Sequence, residues 1–207
     1  CERIRPRINN APDVEAPYLL VAVVEILDTG VFNDNNYFDV TVEYAKNNQS
    51  DICINIQITN HSNEAAAIVL LPALWFRNRW LFGDTEQKPV LQKQSPQTNA
   101  GVVKATHDRL GSYYFYYAPT NETLMTENET NTEKVFGYAN ETPFVKDAFH
   151  DAIIHQQPGL QEQLQHKTAG TKFSPVYRLS IPAKQSYNIF LRISKDDLRQ
   201  PFDEKFN

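Results

Sequence analysis

The chain has 207 residues, of which 41% are hydrophobic and 12% aromatic, and its formal net charge is -5. This length supports one substantial core, and the aromatic-rich composition favours β-strands. The acidic balance argues against a nucleic-acid partner, and no apolar run approaches the roughly 18 residues that a membrane-spanning helix needs. We therefore expect a globular cytoplasmic protein, with the periplasm as the alternative compartment.

The predicted elements of the first half are strands. Residues 1–17 are polar and interrupted by prolines, which predicts an irregular lead-in, and the apolar run at 18–26 predicts a buried strand. Hydrophobic and polar residues alternate at 37–45 and again at 52–59, a pattern typical of half-buried strands. A polar turn after the second of these segments predicts a hairpin with a strand at 66–71.

The second half continues the strand pattern. Strands are predicted at 112–118 and 124–127, and a last pair is predicted at 174–181 and 186–193. In that pair the apolar positions fall on one face of each strand. The four-residue turn PAKQ at 182–185 therefore predicts a hairpin.

Helices are few and short in this sequence. Only 143–155 and 159–167 show helical character. Many strands with regular turns predict an all-β fold, an antiparallel β-sandwich with a few short helices, over residues 18–194. The charged, proline-containing segment at 195–207 predicts the start of a linker.

Four blocks of the sequence agree in order and length with one enzyme family. They are LDTGVFNDNNYFDVTVEYAK at 27–46, LLPALWFRNRW at 70–80, TENETNTEKVFGYANETPFVKDAFHD at 126–151 and AGTK at 169–172. Together they resemble the bacterial branch of glycoside hydrolase family 63, the mannosylglycerate hydrolase and glucosidase-like enzymes. The resemblance covers most of residues 18–194.

The resemblance implies an architecture and a function. Enzymes of this kind carry a supersandwich-like N-terminal β-sandwich, a linker and an (α/α)6 barrel that holds the catalytic acid and base. We expect a cut portion of such an enzyme, which begins late within the sandwich and stops before the barrel. The expected function is a noncatalytic domain that packs on the barrel of the same parent polypeptide and helps to shape the sugar-binding cleft of an inverting α-glycosidase. No catalytic residue carries over to this chain, and we expect no cofactor.

Two other functions remain open. The chain is a free-standing carbohydrate-binding sandwich if exposed aromatic residues form a sugar platform, and a structural or oligomerising module if they do not. Trp75 and Trp80 are the candidate sugar contacts, because they lie in a dense aromatic stretch with Phe76 and Phe82. Core or interdomain packing is nevertheless favoured for each tryptophan. Their exposure distinguishes the alternatives.

The polar block at 126–151 is the predicted interdomain or cleft surface. Burying so many polar groups in a sandwich without partners would cost about 1–3 kcal/mol each. We therefore expect the block to face the barrel, with its aromatic residues as anchors, and to leave an apolar patch that promotes self-association of the isolated chain. The polar residues assigned to this surface are Glu127, Asn128, Glu129, Asn131, Lys146, Asp147, His150 and Asp151, and the anchors are Phe136, Tyr138, Phe144 and Phe149.

Two groups within this block suggest chemistry, and in both we favour a structural role. Glu127 and Glu129 stand two apart, which places their Cα atoms about 6.6 Å apart in an extended segment. Both side chains then leave the same face of one strand, whereas glycoside hydrolysis needs carboxylates on opposite sides of the sugar. Asp147, His150 and Asp151 share one face of a helix and are possible metal ligands. A salt-bridged helix face is favoured over a metal site, so we expect no metal.

Overall fold

The computed structural model of the protein describes residues 26–81 and 87–203. The chain divides into two compact units, Cys1–Asn33 and Asp34–Asn207. The second unit holds all of the β-strands described below, and it carries the predicted surface at 126–151.

The first unit contributes only a short stretch to the described chain. Ile26–Thr29 forms a 3-10 helix, and a second 3-10 turn at Asn33–Asn35 crosses the boundary between the units in sequence. The lead-in predicted at 1–17 lies outside the described residues, and so does the strand predicted at 18–26 apart from its last residue.

The described residues of the second unit form an all-β sandwich with three short helices, as the sequence predicts. The strands are β1 (Phe38–Asn48), β2 (Asp51–Asn60), β3 (Ala66–Leu70), β4 (Leu74–Trp75), β5 (Val90–Lys93), β6 (Gly101–His107), β7 (Gly111–Tyr117), β8 (Thr123–Thr126), β9 (Ala169–Gly170), β10 (Lys172–Pro175), β11 (Tyr177–Ile181) and β12 (Ser186–Ser194). The helices are α1 (Thr132–Phe136), α2 (Ala148–Ile153) and α3 (Leu160–His166). None of the helices in the described ranges is long and apolar enough to cross a membrane.

A seven-stranded antiparallel sheet forms one layer, in the order β1-β2-β12-β7-β6-β5-β9. Alternation determines its inner face: in β2 the side chains of Ile54, Ile56 and Ile58 are buried, whereas Gln57 is exposed. Each of these isoleucines has a register partner in β1 and another in β12. The three strands therefore alternate in phase, and their apolar side chains share one face.

The facing layer resembles one three-stranded sheet with an interruption. β3 pairs with β11 and β4 pairs with β10, while β8 pairs with the other edge of β10. The β3–β11 and β4–β10 pairings follow one continuous register, so neither chain segment has an extra residue between its two strands. Pro72 therefore falls opposite Pro175. Because neither proline has an N–H, the ladder of hydrogen bonds is broken at this position.

The main core lies between the two layers. The seven-stranded sheet contributes Ile58 and Phe115, and the facing layer contributes Met125 and Phe173, all almost completely buried. Phe173 packs edge-on against Phe115, with the ring centroids 6.3 Å apart. A second cluster joins α2 and α3 to β8, and its members include Leu124, Phe149, Leu160 and Leu164.

Both hairpins that the sequence predicts are wrong. β2 and β3 follow each other in the chain but lie in different sheets, and so do β11 and β12. The two turns are therefore corners at which the chain passes from one layer to the other. Alternation identifies the buried face of a strand but not the strand beside it, so it does not distinguish a corner from a hairpin.

Asn60 ties the two corners together. Its side-chain amide donates to the carbonyl oxygens of Glu64, Ile181 and Pro182 at 2.8, 2.9 and 3.3 Å. Its side-chain oxygen accepts from the backbone N–H and the hydroxyl of Ser62 at 2.9 and 2.7 Å. Asn60 is almost completely buried, so this network satisfies a polar side chain inside the fold.

The inner face of β1 extends beyond the facing layer. Val40, Val42 and Tyr44 are register partners of the buried isoleucines of β2 and lie on the core side of the sheet. All three are nevertheless exposed, Tyr44 to 71%. With inner residues of β2, β7 and β12 and with residues 70–74, they line an apolar groove of about 370 Å3.

The segment after β12 packs on the outer face of the seven-stranded sheet, where the sequence predicts the start of a linker. The hydroxyl of Tyr116 donates to the carbonyl oxygen of Asp196 at 3.0 Å and accepts from the backbone N–H of Leu198 at 2.6 Å. Leu198 and Phe202 pack against the cluster that contains Tyr116 and Val102. The described part of the tail, up to residue 203, therefore covers the outer side of β6 and β7.

Candidate binding cleft

The candidate site is a cleft beside α1, a helix that the sequence analysis did not predict. Asn131 caps α1 by accepting from the backbone N–H of Lys134 at 3.0 Å, and Gly137 ends the helix in the left-handed conformation, with φ 79°. The side-chain oxygen of Asn140 accepts from the backbone N–H of Thr132 at 2.7 Å. This contact folds the loop after α1 back onto the start of the helix.

The cleft has a volume of about 500 Å3 and one aromatic wall. The rings of Phe136 and Tyr138 stack with centroids 5.7 Å apart and with planes 12° apart. These side chains are 62% and 59% exposed. The lining runs from the buried Glu129 and Val145 to the exposed Glu141. The cleft therefore combines a pair of stacked aromatic rings with one buried and one exposed carboxylate.

Glu129 is the buried charge of the cleft, only 5% exposed. Its Oε1 accepts from the indole N–H of Trp80 at 2.9 Å and from the ammonium of Lys88 at 2.8 Å. Lys88 also lies 3.1 Å from Oε2 of Glu127. Burial acts to lower the pKa of Lys88, but its hydrogen bonds to the two glutamates outweigh burial and raise that pKa. Lys88 therefore stays charged.

Glu127 and Asn128 have partners within the chain. The hydroxyl of Thr171 donates to Oε2 of Glu127 at 2.9 Å and accepts from the backbone N–H of Asn128 at 2.7 Å. The side-chain amide of Asn128 donates to the carbonyl oxygen of Phe76 at 2.8 Å. These bonds join the end of β8 to the segments that follow β4 and β9. The start of the 126–151 block thus braces the sandwich and does not depend on another domain for its hydrogen bonds.

The two glutamates converge on one cation. Oε2 of Glu127 and Oε1 of Glu129 lie 3.1 and 2.8 Å from the ammonium of Lys88. Glycoside hydrolysis needs one carboxylic acid that keeps its proton and a second carboxylate across the scissile bond. In this network both carboxylates meet at Lys88, and they provide hydrogen-bond acceptors for Lys88, Trp80 and Thr171.

Asn131 and Asp147 brace α1 against the start of α2. The side-chain amide of Asn131 donates to the two oxygens of Asp147 at 3.3 and 3.1 Å, and the ammonium of Lys134 lies 3.9 Å from the same carboxylate. Lys146 is exposed, and its ammonium donates to the hydroxyl of Thr130 at 3.2 Å. Because Thr130 lines the cleft, these contacts position its rim.

On the helix face that offered metal ligands, Asp151 has a local histidine partner. Oδ1 of Asp151 lies 2.9 Å from Nδ1 of His155, one turn further along the chain. The exposed His150 packs edge-on against the ring of His155. Across residues 26–81 and 87–203, no three His, Cys, Asp or Glu side chains are grouped to hold a metal ion.

The two tryptophans named in the sequence analysis lie in different surroundings. Trp75, in β4, is 54% exposed. Trp80 is half-buried, because its indole N–H binds Glu129 and the ammonium of Lys88 lies 5.9 Å from its ring centroid. Trp80 therefore supports the buried carboxylate of the cleft, whereas Trp75 is an exposed aromatic residue. Phe82 lies outside the described residues.

The four predicted anchors separate into two groups. Phe136 and Tyr138 form the exposed wall of the cleft, whereas Phe149 is buried in the second cluster and Phe144 packs against it. Sequence reasoning missed Lys88 altogether. It lies in a polar stretch far from the glutamates in sequence, and no local pattern marks it as their partner.

No protein-family model matches the chain. The chain is similar to a Saccharomyces cerevisiae protein named "Uncharacterized protein YMR196W", with 27% identity over 191 residues. The similarity covers 79% of this chain but 17% of the yeast protein, so the chain spans a small part of the length of the curated relative that it matches. The name of that relative states no activity.

Proposed function

We propose that the chain is a noncatalytic β-sandwich domain of a glycoside hydrolase similar to family 63. It packs on the (α/α)6 barrel of a longer polypeptide and contributes one wall of a sugar-binding cleft. The basis for the enzyme class is the resemblance of the four sequence blocks. In this proposal the polypeptide is cytoplasmic, in keeping with its 2 cysteines in 207 residues.

The observation that carries the proposal is the exposed apolar surface of α1. Val135, Phe136 and Tyr138 are each more than half exposed, although they lie in the middle of the longest block of the resemblance. Exposed apolar side chains beside polar ones are typical of a surface that packs on a partner. The adjoining cleft would then lie at the boundary with the barrel.

The shared lysine supports a noncatalytic role for this domain. Glu127 and Glu129 both contact the ammonium of Lys88, so they meet at one cation, whereas glycoside hydrolysis needs two carboxyl groups on opposite sides of the scissile bond. In this proposal both catalytic carboxylates come from the barrel.

The first prediction concerns the parent polypeptide. Val135→Glu places a charge in the proposed interface and is expected to lower kcat/KM for an aryl α-glucoside or α-mannoside at least about tenfold. The matched control is Leu110→Glu, since Leu110 is equally exposed but lies in the turn between β6 and β7. Equal activity of the two variants contradicts the interface, and turnover by the 207-residue chain alone contradicts a noncatalytic role.

A free-standing carbohydrate-binding sandwich is the second candidate. Its supporting observation is Trp75, whose exposed ring is available for stacking on a sugar. This candidate places the sugar contact at Trp75 in β4, whereas the first places it in the cleft beside α1.

A further inference from the structure

We propose that the cleft beside α1 is itself a subsite for one neutral sugar ring, which stacks on Phe136 and Tyr138 and donates a hydroxyl hydrogen bond to Glu129. This inference rests on the proposed function, because it names the ligand of the same cleft. It goes further in assigning binding to the sandwich alone, without the barrel.

The second oxygen of Glu129 is the first reason. Oε1 already accepts from Trp80 and Lys88, whereas Oε2 accepts no hydrogen bond from any residue in the described ranges. Glu129 is 95% buried and lines the cleft. Oε2 is not one of the described side-chain atoms that are both buried and unpaired, so it keeps solvent-accessible surface. A sugar hydroxyl in the cleft can therefore donate a hydrogen bond to it.

The aromatic wall is the second reason. The planes of Phe136 and Tyr138 differ by 12° and the ring centroids are 5.7 Å apart, so the two rings are stacked in parallel with an offset and do not form a cage. Flat aromatic faces pack well against the C–H face of a sugar ring, which is apolar while its edge carries hydroxyls. The cleft volume of about 500 Å3 lies within the ordinary range for small-molecule sites.

Charge favours a neutral ligand over a basic side chain. The ammonium of Lys88 lies 2.8 Å from Oε1 of Glu129, so a second cation at Oε2 would sit close to a like charge. A hydroxyl donates to Oε2 without that repulsion. Glu141, exposed at the rim, offers an acceptor for a further hydroxyl.

Trp80 provides the readout, because its indole N–H is bound to the same carboxylate. The chain has 2 tryptophans, so Trp75→Phe leaves Trp80 as the only one. We expect maltotriose, α-mannobiose or methyl α-mannoside to shift the Trp80 emission of this variant, with roughly millimolar dissociation constants. Adding Phe136→Ala with Tyr138→Ala is expected to weaken binding at least about tenfold. Val135→Ala, also on α1 but not in the cleft lining, is the matched control.

Several outcomes overturn the subsite. They are no emission change with any of the three sugars up to about 50 mM, unchanged binding in the Phe136→Ala/Tyr138→Ala variant, or tighter binding of N-acetyl-arginine amide than of every sugar. Loss of binding on Trp75→Phe, measured by calorimetry, moves the contact to Trp75 and favours the second candidate. If the sugars fail but Val135→Glu still inactivates the parent polypeptide, the proposed function stands without this subsite.

Discussion

Asp51 and Arg192 form a buried, bidentate ion pair at the start of β2. Nε and Nη2 of Arg192 donate to the two carboxylate oxygens at 2.8 and 2.6 Å, and Nη1 donates to the carbonyl oxygen of Pro201 at 2.8 Å. One guanidinium thus joins two neighbouring strands to the tail. Hydrogen bonds from Arg192 hold the pKa of Asp51 below its usual range, although burial acts to raise it.

Removing this carboxylate is expected to destabilise the fold strongly. Asp51→Asn leaves Arg192 buried without its counter-charge, which costs about 3–5 kcal/mol of unfolding free energy. Since the folded pKa is depressed, the stabilisation is present above the unfolded value of 3.8 and is lost as pH falls through the folded pKa. Urea unfolding at several pH values should therefore show a flatter acid dependence in the variant. The control is Asp39→Asn. The carboxylate of Asp39 is exposed and pairs with His61, so this substitution should change the free energy of unfolding by less than about 1 kcal/mol. Equal effects of the two substitutions would argue against a buried pair.

At the residue scale the sequence predicts the cleft only in part. Phe136, Tyr138 and Glu129 fall in one continuous block, so composition alone marks them as a surface. Trp80 and Lys88 lie 49 and 41 residues before Glu129 in the sequence, and such long-range pairing leaves no local pattern. For the same reason, the sequence does not show that Oε1 of Glu129 has partners within the chain while Oε2 can accept from a ligand.

At the scale of the elements, the side chain of Asn60 is expected to stabilise the two corners. Asn60→Ala removes the donor shared by the turns after β2 and β11, and leaves carbonyl groups and Ser62 without that partner. Each unpaired buried group costs roughly 1–3 kcal/mol, so we expect a loss of at least about 2 kcal/mol in urea unfolding. Asn63→Ala, on the exposed side of the same turn, is the control and should remain near wild type. If Asn60→Ala unfolds at the same urea concentration as the wild type, the two corners do not depend on the hydrogen bonds of Asn60.

Alternation predicts a strand best where one face of the strand meets solvent. β2 and β12 were recognised, because apolar and polar residues alternate along both. β6 was missed, since Val102 packs under the C-terminal tail while Val103 faces the main core, and no alternation survives when both faces are buried. The corners were mistaken for hairpins because strand order depends on pairing that a single strand does not encode.

At the scale of the whole molecule, the uncovered face of β1 predicts self-association. Exposed contiguous apolar surface tends to find cover, and Val40, Val42 and Tyr44 border the groove of about 370 Å3. We expect the average mass in sedimentation experiments to rise with protein concentration. Tyr44→Lys should suppress this rise, whereas Leu110→Lys, on the turn after β6, should not. A monomer at all concentrations, or suppression by both variants alike, contradicts the assignment to β1.

The buried side chain of Asn60 affects the choice of host in which the protein is produced. Asn60 is followed by His61 and Ser62, which makes it an acceptor sequence for N-linked glycosylation. In the folded chain the amide nitrogen that would receive the glycan is buried and donates to three carbonyl oxygens. A glycan can therefore be attached only before the corners close, and once attached it prevents their closure. A eukaryotic secretory host that modifies this site would turn a stabilising residue into a block on folding.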